Sequence, residues 1–289
     1  MMNFLYLTYS KNVGFNNIFT KGVRFLCSRV YNFLAPIYYK NIGSKLVGGS
    51  EDIVISLTSF PDRIDTLWLV VESLFDQTVK PSKVVLTLSL LQFNGEKDLP
   101  ESLLKQTKRG LEIIWTEDDL RSHKKYYYAM QKYPSAKIIT VDDDFYYSRN
   151  MLESLLSFHQ KFPRAVICHL AAKKNGCNYK EWTNLLFKFN GPSTDIMQYG
   201  GSGVLYPPNS LHKDAFDKEK IKELCPLADD IWLNCMTILN GREIVKTDYE
   251  YYLMPLFVKS SVALKNINVG EDMNSKQIQR LNEVYKIYP

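Results

Sequence analysis

Residues 137 to 150 read "KIITVDDDFYYSRN", and their reading decides the fold. Ile138, Ile139, Thr140 and Val141 are β-branched, the make-up of a buried strand. They run straight into Asp142, Asp143 and Asp144, and aromatics follow. In an open α/β sheet, ligands bind beyond the carboxyl ends of the strands. Asp is also common in a polar turn after a strand. Three carboxylates in a row after an apolar strand, with a helix behind them, favour a site over a turn.

Two carboxylates held close repel each other, and each is costly to desolvate. A divalent cation removes both problems. Mg²⁺ and Mn²⁺ take oxygen ligands, commonly one or two carboxylates plus phosphate oxygens. The spacing therefore points to a metal–diphosphate site. Strand alternation places Asp142 and Asp144 on one side and Asp143 on the other.

Outward from this stretch the pattern alternates between strands and helices. "DIVISLTSF" reads as a buried strand broken at Pro61, and "DRIDTLWLVVESLFDQT" as a helix capped by Asp65. The stripe of that helix is Leu67, Val70, Val71, Leu74 and Phe75. "KVVLTLS", "LEIIWT", "KIITV" and "AVICHLA" are further strands. "SHKKYYYAMQKYP" is a helix ended by Pro134, and "SRNMLESLLSFHQKFP" one capped by Ser148. Such alternation implies an α/β fold with a mostly parallel sheet flanked by helices.

Composition narrows the class. The chain has 289 residues, 45% hydrophobic, with 19 Tyr and 15 Phe, enough for an ordinary core. Its apolar runs fall short of a membrane-spanning helix, and no secretory leader is visible. The five cysteines form no CxxC pair and read as reduced thiols of a cytosolic protein. Of 36 Lys and Arg, six lie in residues 1–50 with no Asp or Glu, leaving 30 against 31 acidic residues in the rest. The basic charge is therefore local. No nucleic-acid fold signature accompanies it, so nucleic acid is not an expected partner.

Three segments follow. Residues 1–50 form a basic amphipathic segment, residues 51–258 the α/β domain, and residues 259–289 a tail or lid with a terminal helix around Lys276–Tyr285. In the first segment Val23, Leu26, Cys27, Val30, Tyr31 and Leu34 share one helical stripe. Such a helix lies on an anionic membrane surface or docks on the protein's own core; the sequence leaves both readings open.

The ordered set "SLTSFPDRI", "KKYYYAMQKYP", "VDDDFYY", "GGSGVLYPP" and "ADDIWL" resembles nucleotide-sugar-dependent glycosyltransferases of the GT-A type, over roughly residues 51 to 258. The resemblance is nearest to the bacterial branch that makes surface polysaccharides such as capsule and lipopolysaccharide. It implies a Rossmann-like GT-A sheet. It also implies a nucleoside-diphosphate sugar donor, a UDP-sugar first among them, and transfer to a hydroxyl of a glycan or lipid-linked acceptor. It implies Mn²⁺ or Mg²⁺ as cofactor, and a place in the cytoplasm at the inner face of the membrane. By motif position, Asp142 binds the nucleotide and shares the metal with Asp144, and Asp143 lies on the donor side. Thr58, Ser59 and Arg63 lie against the nucleotide. Lys125 reaches the nucleotide or its phosphates, with Lys124 close behind; a solvated helix face is the plainer reading of both lysines.

"QYGGSGVLYPP" packs Gly200, Gly201, Ser202 and Gly203 together, permitting close backbone approach to a ligand. The resemblance makes this loop the lining of the donor sugar and acceptor. No Gly-Lys-Ser/Thr follows, so it is not a phosphate loop. Asp229 and Asp230 begin a helix, where the dipole favours carboxylates, and one of the two is free for chemistry. An inverting transfer needs a base for the acceptor hydroxyl. The resemblance gives that role to Asp230, with Asp229 second. Some relatives use a late histidine as a metal ligand; no histidine follows His212 here.

Rival readings fit less well. A nucleotidyltransferase wants a glycine-rich loop near the first strand, absent from "SLTSFPDRI". A phosphohydrolase with an aspartate nucleophile wants its motif at the first strand. A non-catalytic sugar-binding relative has no need of both "VDDD" and "ADDIW".

Overall fold

The computed structural model describes residues 1–15, 17–42, 48–49, 52–186, 188–258 and 272–288. In chain order the helices are α1 (Met2–Lys11), α2 (Ile18–Ile42), α3 (Pro61–Ile64), α4 (Leu67–Phe75), α5 (Glu101–Thr107), α6 (Lys124–Lys132), α7 (Met151–Lys161), α8 (Lys218–Leu224), α9 (Asp229–Leu239) and α10 (Met273–Tyr285). The strands are β1 (Ile53–Thr58), β2 (Lys83–Ser89), β3 (Leu111–Thr116), β4 (Lys137–Thr140), β5 (Phe145–Tyr146), β6 (Val166–Cys168), β7 (Ala171–Lys173), β8 (Thr183–Leu185), β9 (Asn190–Ser193), β10 (Ile196–Gln198), β11 (Val204–Tyr206), β12 (Ile244–Lys246) and β13 (Met254–Pro255).

An eight-stranded sheet runs β3-β2-β1-β4-β11-β6-β12-β9. β1 pairs in parallel with β2 and β4, β2 with β3, and β6 with β12. Both faces of β1 are covered: Ile53, Ile55 and Leu57 join one core with α4, while Val54 joins another with Val85, Ala129 and Ile138. Continuous apolar runs are what a parallel sheet buried on both faces requires. The expected α/β architecture, a mostly parallel sheet flanked by helices, is the one observed.

Two strands run the other way: β9, antiparallel to β12 at the sheet edge, and β11 in its interior. β11 is antiparallel to both β4 and β6, with Val204 opposite Thr140. The start of β11 therefore lies beside the end of β4, which brings the glycine loop next to the aspartates.

Some local expectations are corrected. The single helix capped by Asp65 is two helices, α3 and α4, and Asp65 ends the first of them. Ser148 is not the cap of α7: Asn150 holds that position, and the Ser148 hydroxyl donates to Asn150 Oδ1. In both cases several short polar residues precede the helix, and tertiary contacts choose among them. Residues 259–271 of the expected tail lie outside the described residues. α10 spans the expected terminal helix, and Ile278 and Leu281 join the core around Trp232.

α1 and α2 dock on the domain. The Tyr6 hydroxyl donates to the Tyr146 carbonyl at 2.6 Å, and Tyr31 packs against the Tyr146 ring. Asn32 Nδ2 donates to the Pro255 carbonyl, and the Phe257 N–H donates back to Asn32 Oδ1. The docked face carries Cys27, Tyr31, Ala35 and Tyr39. Leu26, expected on the same stripe, is 63% exposed instead.

Candidate active site

β4 ends at Thr140, so residues 142 to 144 are no longer bound to strand alternation. Asp142 turns to α6, where Lys125 Nζ stands 2.8 Å from its Oδ1. Asp143 accepts from the Ser59 hydroxyl at 2.6 Å and from Arg63 Nη1 at 2.5 Å. The same Nη1 lies 3.0 Å from Asp144 Oδ2. Asp143 and Asp144 thus share Arg63 instead of pointing to opposite sides. The reason is that a loop, unlike a strand, lets neighbouring side chains converge on one cation.

Lys125 also lies 2.8 Å from Asp229 Oδ2, at the first turn of α9. It ties the two acidic motifs together. A lysine in the first turn of α6 opposes the helix dipole, and these carboxylates compensate. Burial favours the neutral amine, but the charges of Asp142, Asp229 and Asp230 outweigh it and hold the Lys125 pKa well above its ordinary value. Burial likewise works against an ionised Asp229, yet Lys125 and then His123 keep its carboxyl below the usual range.

Asp230 differs. Its Oδ2 accepts from the Gly200 N–H at 3.0 Å, while its Oδ1 is buried with no hydrogen-bond partner among the described residues. Burial, then repulsion from Asp229, pushes its pKa up to about 7. Neighbouring carboxylates pushed apart in this way form an acid/base arrangement. Asp144 is likewise raised to about 7, by burial and then by Asp142. Its Oδ1 is buried and unpartnered among the described residues. Asp142 and Asp144 keep 36% and 26% of their side-chain surface open, so a ligand reaches both.

Gly200 and Gly201 have no room for a side chain. A Cβ on Gly200 would lie 2.5 Å from Asp230 Oδ1, and one on Gly201 would lie 2.8 Å from Asp142 Oδ2. Ser202 is buried beside them with its hydroxyl unpartnered among the described residues, and Gly203 leads into β11.

Other expected residues stand apart from this cluster. The Thr58 hydroxyl donates to the Thr87 carbonyl, and Lys124 pairs with Asp119 at 2.5 Å. The buried His123 and His169 bond to Cys225 and Thr247. Tyr147 was not singled out by the sequence. Its hydroxyl accepts from the Asp142 N–H and donates to the Gly201 carbonyl, joining β4 to the glycine loop. Gln198 was also missed: its Nε2 contacts the Tyr206 hydroxyl, and its Oε1 accepts from Asn234 of α9. The bonds that tie them to the site, Tyr147 to Gly201 and Gln198 to Asn234, join residues distant in sequence and leave no local signal.

No protein-family model and no curated protein matches the chain. Among solved structures, a crystal structure of GalNAc-T7 with UDP, GalNAc and Mn²⁺ is similar at 12% identity and a TM-score of 0.49, covering 71% of this chain and 43% of that one. A crystal structure of S. aureus TarS 1-349 is similar at 14% identity and a TM-score of 0.48, covering 70% and 59%. The chain spans less than two thirds of either. Sheet order and strand directions show the fold directly: a mostly parallel sheet flanked by helices, with the aspartates at the carboxyl end of β4.

Proposed function

We propose that the chain is a glycosyltransferase that moves a sugar from a nucleoside-diphosphate donor, UDP-linked first, to a hydroxyl of a glycan or lipid-linked acceptor with inversion. The observation that carries this reading is the convergence of Asp142–Asp144, Asp229–Asp230 and a glycine loop that has no room for a side chain, all joined by Lys125. The surface-polysaccharide setting and a place at the inner face of the membrane belong to the same proposal. Residues 51–258 form its catalytic domain, residues 1–50 the membrane-facing segment and residues 259–289 a tail or lid.

Asp230 takes the proton of the acceptor hydroxyl as that oxygen bonds to the anomeric carbon. The bond from that carbon to the diphosphate breaks, and the nucleoside diphosphate leaves. Gly200 holds Asp230 by Oδ2, which leaves Oδ1 for the proton. Asp229, paired with Lys125, stays ionised and serves position rather than proton transfer. Ser59, Arg63 and Asp143 shape the nucleotide side.

The aspartates fit a divalent cation. An unpartnered buried oxygen on Asp144, and a carboxyl destabilised by Asp142, are what a hard cation relieves. Among the described residues no set of three or more protein ligands surrounds one point, so Asp142 and Asp144 would hold Mn²⁺ or Mg²⁺ with donor phosphates completing the shell. When bound, the ion would supply positive charge to the departing diphosphate.

The test is a thermal-shift panel of UDP, GDP, CDP, CMP and dTDP with and without Mn²⁺ or Mg²⁺, run on the parent and on Asp142→Asn/Asp144→Asn. Ligand at about 100 times its dissociation constant adds roughly 2.7 kcal/mol. A metal-dependent shift with one nucleotide, lost in the variant, is the expected result. Unaltered sugar transfer by Asp144→Asn would sink the assignment.

A further inference from the structure

α2 has two apolar faces, and the domain covers only one of them. Ile18, Phe19, Phe25, Leu26, Phe33 and Ile37 are 51–90% exposed. At 3.6 residues per turn they fall within an arc of about 120°, opposite Cys27, Tyr31 and Ala35, which are buried on the domain. Single exposed apolar residues are ordinary on a protein surface, but a contiguous row of large ones marks an interaction face.

The charge in and beside this row has one sign. Lys21, Arg29 and Lys40 are exposed on the same helix, and residues 1–50 contain no Asp or Glu. The Arg29 guanidinium sits within the row, 5.1 Å from the ring centres of both Phe25 and Phe257. Among the described residues, no helix is long and apolar enough to cross a membrane. A helix with aromatic and aliphatic side chains on one face and basic groups among and beside them lies in the plane of an anionic bilayer, its apolar side chains in the headgroup–acyl boundary and its long basic side chains reaching the phosphates.

We infer that this face of α2 is a seat for an anionic lipid surface, with the phenylalanines inserted and the basic residues on lipid phosphates. A second copy fits worse, because it would bring together two surfaces of like charge. The inference deepens the membrane contact of the proposed function, and it rests on that reading only for its consequence, that a lipid-linked acceptor meets the donor site at the bilayer. The surface itself is read from α2 alone.

The test is flotation of the purified full chain with vesicles of phosphatidylglycerol and phosphatidylcholine, against phosphatidylcholine alone. The chain is expected to float with the anionic vesicles only. Phe19→Ser/Phe25→Ser/Phe33→Ser lowers the bound fraction roughly tenfold or more, and Lys21→Gln/Arg29→Gln/Lys40→Gln weakens binding and flattens its salt dependence. Both variants keep the parent's nucleotide-dependent thermal shift, because these side chains contribute nothing to the donor site. The inference is overturned if the parent stays in solution with every vesicle, or if the serine variant floats as the parent does. It is overturned equally if ultracentrifugation finds a dimer that the serine variant dissolves, or if vesicles bind only after residues 259–271 are deleted. Loss of the nucleotide shift with flotation intact would count against the donor site and leave this surface standing.

Discussion

Gly200 and Asp230 are in direct contact: the Gly200 N–H donates to Oδ2 at 3.0 Å, and a Cβ on Gly200 would lie 2.5 Å from Oδ1. One backbone position both holds the carboxylate and leaves no room for a methyl group between them. Gly200→Ala is expected to push Asp230 aside. A displacement on the order of 1 Å lowers a rate about a hundredfold, and overpacking costs about 1–3 kcal/mol. Rate and melting temperature measured together check this; an unchanged rate would show that Asp230 has slack.

Asp230 sets a pH dependence. Its pKa is raised from an ordinary 3.8 to about 7, by burial and then by Asp229. The folded state therefore binds this proton more tightly than the unfolded chain does. The stability it contributes is full below about pH 4 and is lost as pH rises through about 7. Asp230→Asn removes the loss, so its melting temperature relative to the parent should rise between pH 5 and pH 8. Transfer by the parent should climb over the same range as the base ionises, and Asp230→Asn should lack that climb.

Lys125 is the only cation observed within 4 Å of both Asp142 and Asp229 among the described residues. Removing one partner of a buried ion pair costs about 3–5 kcal/mol, because the remaining charge has no counterion. Lys125→Met should therefore lose about that much stability, and Mn²⁺ should restore more of it than it adds to the parent. Denaturant melts with and without metal read both effects. A variant as stable as the parent would show that the bridge contributes little.

A second buried pair lies far from the site. Glu72, 3% exposed on α4, receives two bonds from Arg109, at 2.6 and 2.9 Å, and one from Gln106. Arg109→Met should cost about 2 kcal/mol, below the full range for buried pairs because Arg109 is partly exposed. Glu72→Leu/Arg109→Leu should cost less than the sum of its two single changes, and a double-mutant cycle measures the difference. Transfer activity per folded molecule should stay unchanged.

The first four strands were legible because each is a short, continuous apolar run between turn residues, and a parallel sheet buried on both faces asks for nothing else. Helix starts were less legible. Asp65 and Ser148 have the chemistry of caps, but so do residues nearby, and the chain places the helix boundaries at Thr66 and Asn150.

The sequence by itself determined the residue types of the site: three aspartates after a strand, two at the head of a helix, and glycines between them. Only the tertiary structure decided their partners. Lys125 meets both Asp142 and Asp229 because antiparallel β11 brings the glycine loop to the end of β4 and α9 starts nearby. Long-range pairing of this kind leaves no trace in local periodicity. The same holds for α2, whose sequence is apolar on two faces, so periodicity alone does not choose which one docks. Packing chose the face with Tyr31, whose ring meets Tyr146, and left Phe33 outside.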